Sequence, residues 1–191
     1  MKTPKFLPLI AGLIAGAASL CATTVVPPTF DQLVDQAEII FHGTVTNVTS
    51  AWVGEGAERH IVSYITFKVK DSLKGKAGDT YTLRTFGGTV DDESMVIGDA
   101  PKFEVGDDNI VFVENNGRQV VPLVGLMHGQ FHVRKDDSGK EIVTTNEDEP
   151  LRDVAELGHG GTGSASAPVM TPAAFKSAIH TRLEQSAHSL H

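Results

Sequence analysis

Along most of this chain apolar and polar residues alternate with the two-residue period of half-buried strands. The pattern is clearest from Ile61 to Lys70. Ile61, Ile65, Phe67 and Val69 fall on one face, and Tyr64, Thr66, Lys68 and Lys70 on the other. Upstream, Ile39, Phe41 and Val45 alternate likewise, but Val48 then has the wrong parity. A bulge near residues 46–47 restores the phase and bends the strand. Tyr81, Leu83 and Thr85 predict a third strand that Gly87-Gly88 breaks, with a short strand at 95–98. Ile110 to Val113 is apolar on both faces, so that strand is central or covered by a helix. Val120 to Val124, Phe131 to Arg134 and Glu141 to Thr144 predict further strands.

Two segments carry helical signals instead. Thr29-Phe30-Asp31-Gln32 reads as a capping box, with Leu33, Val34 and Ala37 following at helical spacing, so a short helix is expected over 30–37. Thr171-Pro172 opens a second helix whose Phe175, Ile179 and Leu183 form an apolar stripe. Many strands with helices only at the ends predict a mostly β fold, a small antiparallel barrel, closed or partly closed. Residues 146–170 are rich in Gly, Ser, Ala and acid, the composition of a flexible linker. The expected organisation is a barrel domain over 23–145, that linker, and a C-terminal amphipathic helix and tail over 171–191. The stripe is expected to dock on the chain's own barrel, because tethering gives it a high effective concentration.

The first residues change the picture of where the fold works. Lys2 and Lys5 precede an apolar run from Phe6 to Leu20, and small residues follow up to Ala22. This is the plan of a secretory signal peptide over 1–22, so a periplasmic or secreted location is expected. The run is shorter than the ~20 residues of a membrane span, so no stable insertion is expected after cleavage. Cys21 is the only cysteine. Cleavage after Ala22 discards it, and Leu20 before it fits a lipoprotein signal badly. The mature fold then has no disulfide and rests on core packing. With a formal charge of −8, the chain is a poor electrostatic match for nucleic acid or anionic lipid.

Candidate chemistry is sparse. G-x-S-x-G, P-loop and C-x-x-C motifs are absent from the sequence, and no cofactor is implied. Gly158 to Gly163 spells GxGxxG, but neither the strand nor the helix of a dinucleotide site flanks it. His128 and His132 are four apart around a predicted strand, which puts both on one face beside Arg134 as the start of a metal site. Asp91-Asp92-Glu93, Asp107-Asp108 and Asp136-Asp137 read as turn formers. Trp52, in an expected glycine-containing loop over 52–59, and Gly87 with Gly88 are the candidate ligand-binding residues.

Two resemblances bear on these residues. TTVVPPTFDQLVDQAEIIFHGTVTNV, VKDSLKGKAGDTYTLRTFGGTV, FEVGDDNIVFV and VPLVGLMHGQFHV, in that order, resemble a family of exported bacterial proteins with no assigned activity. The A-E-I-I-F-H-G-T-V strand, the long strand ending in L-K-G and the V-G-D loop before an apolar strand are similar to netrin-like domains, which include the tissue inhibitors of metalloproteinases. That second resemblance implies an OB-like barrel. It also implies zinc chelation by a mature N-terminal cysteine, for which only Cys21 is available; the paired cysteines of that family are missing. The expected function is an exported, non-enzymatic binding module with an extracytoplasmic protein as partner. The alternatives are a metalloprotease inhibitor of the netrin-like type or a hydrolase with an unrecognised site.

Overall fold

In the computed structural model, residues 26–98, 100–158 and 167–188 are described. The expected signal peptide, Cys21 and the GxGxxG stretch after Gly158 lie outside them. Helix α1 (Phe30–Gln36) starts at the expected capping box. The Gln32 N–H donates to Thr29 Oγ1 at 3.3 Å, and the Thr29 N–H to Gln32 Oε1 at 2.9 Å.

The chain then builds β1 (Ile39–Val53), β2 (His60–Lys74), β3 (Thr80–Phe86), β4 (Gly88–Val90), β5 (Glu93–Met95), β6 (Asp108–Val113), β7 (Gln130–Lys135) and β8 (Glu141–Thr145). Six of these form one antiparallel sheet in the order β3-β2-β1-β6-β7-β8, and β4 with β5 forms a separate hairpin. The bulge falls where parity required it, with Val45 opposite Phe67 and Asn47 opposite Thr66. Two more register shifts occur within residues 40–43 of β1. At Gly43 the strands approach so closely that a Cβ would lie 2.8 Å from the Lys68 carbonyl oxygen.

The sheet has a helix-covered face and a concave face. Ile110, Phe112, Phe131, Val133 and Val143 pack under α1 and α2. Phe41, Val45, Ile65, Phe67, Leu83, Val111 and Val113 fill the concave face. β6 therefore contributes to both, as its uninterrupted apolar run requires. Helix α2 (Pro172–His188) docks on this same domain: Phe175 and Ile179 are fully buried, and Phe175 lies 4.8 Å from Phe131 between ring centroids. Arg182 bonds the Asp35 carboxylate, and Ser186 Oγ donates to Asp35 at 3.0 Å, tying α2 to α1. The hydrogen bond from Arg182 holds the Asp35 carboxyl below its ordinary pKa.

Four expectations need correction. The mostly β architecture with terminal helices is as expected, but of the barrel, expected closed or partly closed, closure is not seen, because β3 and β8 do not pair. Their outer edges are satisfied by irregular segments instead. Asn116 Oδ1 accepts from the Arg84 N–H, and the Val120 carbonyl from the Phe86 N–H. At β8, Val143 bonds both Met170 and Leu151. Covered edges remove the need for closure. Second, Val120 to Val124 is not a strand. It crosses from the end of β6, where Val124 bonds Phe112, to the edge of β3, and Pro122 has no N–H for a ladder. Third, part of the expected linker is packed: Leu151 is 1% exposed and joins the core under α2, and Val154, Leu157 and Met170 pack against it. Fourth, Trp52 and Val53 belong to β1 rather than to a loop.

Candidate functional site

On the concave side the sheet leaves a trough, divided by the segment Ala100–Glu104. On one side of this segment is a depression of 440 Å³ lined by Val48, Ile65, Gly87, Gly88, Met95, Val96 and Phe103 among others. On the other is a larger cleft of 790 Å³ over β6 and β7. Ala100, Pro101, Lys102 and Glu104 line both.

The smaller, largely apolar depression exists because the β4–β5 hairpin folds back over the β1–β2 sheet. Gly87 and Gly88 permit this with φ of 89° and 130°, values that disfavour any side chain. The Gly87 N–H donates to the Ile61 carbonyl at 2.9 Å, and Ser63 Oγ donates to the Gly87 carbonyl at 2.7 Å. Gly88 sits against the Ser50 and Ser63 hydroxyls, which bond one another at 2.9 Å. Val96 is 87% exposed and Val48 is 37% exposed on the walls. Trp52 stands opposite Ile61 at this end of the sheet, with the Arg59 guanidinium 4.0 Å over its ring. The structure thus brings Trp52, Gly87 and Gly88 to one end of the sheet. The two glycines line the depression, and Trp52 lies outside its lining.

The larger cleft is charged. Glu104, Asp107, Asp108, Glu147 and Asp148 line it, against Lys102, His132 and Arg134. Arg134 bonds Asp148 at 2.6 Å, with His132 Nε2 4.0 Å from the same carboxylate. Asp108 is enclosed: Lys70 donates to it at 2.7 Å, Thr44 Oγ1 at 3.2 Å, and His42 Nε2 lies 3.1 Å away in a bent geometry. Burial pushes the Asp108 carboxyl up, but His42 and Lys70 outweigh it and hold the pKa below the ordinary value. Glu104, Asp107 and Glu147 pair with no cation among the described residues, and neither does Lys102 with an acid. The cleft therefore keeps a surplus of negative charge.

Beneath it runs a polar row, with Asn109 opposite His132 and His132 opposite Thr144. Gln130 Nε2 bridges the Lys102 carbonyl and Asn109 Oδ1 at 2.9 and 3.2 Å, fixing the dividing segment to the sheet. Burial lowers the His132 pKa, with help from Arg134, and burial also lowers that of His128. The two histidines are not strand neighbours as expected. His128 lies in a 3-10 turn (Leu126–Gly129) before β7 and is not part of the cleft lining. Among the described residues no three His, Cys, Asp or Glu side chains gather to hold a metal.

Sequence reasoning missed the charged cleft. Asp107 does serve a turn, accepting from the Glu104 N–H at 2.8 Å, but it also borders the cleft. Glu147 and Asp148 stand in a stretch of linker composition, so nothing in local pattern links them to β7. No helix of the described residues is long and apolar enough to cross a membrane. No protein-family model matches the chain, and no curated protein is significantly similar to it.

Proposed function

We propose that the chain is an exported binding module that takes an extended segment of an extracytoplasmic protein into the trough. The observation that carries this reading is the juxtaposition of an apolar depression and an acid-rich cleft on either side of Ala100–Glu104. A segment complementary to both carries large apolar residues next to lysine or arginine. Charge speeds its encounter with an acidic protein, and apolar burial supplies most of the residence time. Val96 and Val48 offer the apolar contact, and Glu104, Asp107 and Glu147 the charge.

Panning a random peptide display library against the purified chain tests this. The expected winners combine apolar and basic residues. Glu104→Lys with Glu147→Lys should weaken them about tenfold or more at low salt, and Val96→Asp should weaken them independently. Winners without basic residues, or winners indifferent to all three substitutions, would place binding elsewhere.

A further inference from the structure

Beyond its bulge, β1 has an outer edge with no partner among the described residues. β2 pairs with β1 along nearly its whole length, but β6 pairs with it only from Ile39 to Thr44. At Val45 a loop takes over, with the Gly106 N–H donating to the Val45 carbonyl at 2.9 Å and the Val45 N–H to Asp107 at 2.8 Å. From Asn47 to Val53 no backbone hydrogen bond to a described residue leaves the strand on that side. The β4–β5 hairpin does not fill the gap, because Gly88 lies against the Ser50 and Ser63 side chains on the sheet face. Free edges are normally guarded by charge, proline or a covering segment. The β3 and β8 edges are covered in that way. Asn47-Val48-Thr49-Ser50-Ala51-Trp52-Val53 contains no charged residue and no proline, and most of it is exposed.

We propose that this edge joins two copies of the chain, paired antiparallel about a twofold axis at Ser50. The free segment is bounded by the Gly106-Asp107 loop at one end and the Gly54–Gly56 turn at the other, and Ser50 is its midpoint. Twofold pairing lays Asn47 opposite the second copy's Val53, Val48 opposite Trp52, and Thr49 opposite Ala51. Both edges are consumed in one closed interface, whereas a heterologous pairing would leave an edge open. Val48 and Trp52 share a face, so each symmetric pair sets a β-branched residue against an aromatic one, a favoured cross-strand combination. The absence of charge matters as much. A chain of net charge −8 meets its copy here without like charges in register.

The test is the mass of the purified chain by analytical ultracentrifugation from about 1 to 200 µM, the range that brackets a micromolar dimer. A rise towards twice the monomer mass is expected. Thr49→Lys with Ala51→Lys sets two lysines opposite one another in each symmetric pair and should raise the dimer dissociation constant about tenfold or more. Thr49→Glu with Ala51→Lys sets opposite charges there and should restore dimerisation. Concentration-dependent slowing of amide exchange within residues 47–53 of the unaltered chain gives a second readout that needs no variant. A monomer throughout, or a dimer on which the two charge patterns act alike, overturns the proposal. Val48 lies on this edge and on the trough wall alike, so peptide capture is tested apart from dimerisation through Glu104 and Glu147, which are not on the edge.

Discussion

Phe67 stands at the centre of the concave core, fully buried, with ring centroids 5.1 Å from Phe41 and 5.5 Å from Phe103. Phe41 comes from β1 and Phe103 from the segment between β5 and β6, so truncating the ring opens a cavity between separate elements. Phe67→Ala should cost about 3–5 kcal/mol in a urea titration; a loss below about 1 kcal/mol would mean that the ring is not core. Gly88 offers a test of the trough itself. A methyl group there meets the Ser50 and Ser63 hydroxyls at a φ of 130°. Gly88→Ala should destabilise by about 1–3 kcal/mol, seen as a lower melting temperature, and should weaken any ligand of the apolar depression. The titratable groups set a pH dependence with a definite sign. Burial lowers the pKa of His128 and His132, so the unfolded chain takes up protons that the folded chain resists. Their contribution is intact above the unfolded value of about 6.5 and is lost as pH falls towards the lowered values. His128→Gln with His132→Gln should flatten the fall in stability between about pH 6.5 and pH 5. Asp108, also lowered, acts in the same direction but in a more acidic window, below the ordinary carboxylate range, and Asp108→Asn should remove that part alone.

At the scale of elements, the strands with an intact period of two are legible in the sequence, and so are both helices. The reason is local: a capping box, or an apolar residue at every second position, needs no distant partner to be recognised. The bulge at Thr46 is legible too, because a parity error in a strand has few other cures. Failures cluster where a single residue is held by a distant one. Val120 to Val124 has strand-like residues, yet its carbonyls and N–H groups serve two different strands. Leu151 and Met170 stand in a stretch of linker composition, and their mutual bond and the β8 edge are what tie them to the core. Helix α2 is the sharpest case for energetics. Its stripe is readable from spacing, and its partners are Phe112, Phe131 and Phe30. Phe175→Ala should cost about 3–5 kcal/mol. Because α2 and the sheet share one core, calorimetry should still show a single transition, at lower temperature. A separate early transition for the helix would mean that it is an appended element.

At the scale of the whole molecule, the mostly β architecture is legible in the sequence and the trough is not. Periodicity reports which residues face inward, but it is silent on where an open sheet leaves room. The sheet stays open because irregular segments cover β3 and β8, and the trough occupies the concave side near the segment that spans it. Trp52, Gly87 and Gly88 draw notice because a lone tryptophan and a glycine pair stand out. Glu104, Asp107 and Glu147 do not, since acids in turns are ordinary. We propose that this trough is where a partner segment binds, outside the cytoplasm. Site-specific photocrosslinking in intact cells tests it most directly. A photoreactive residue at Val96 or Lys102, on the trough walls, should yield a discrete adduct in the exported fraction. The adduct should fade when Glu104→Lys and Glu147→Lys are combined, and a probe at the exposed Lys135 should give none. Adducts of equal yield at all three positions, or an adduct indifferent to the charge reversals, would contradict the account.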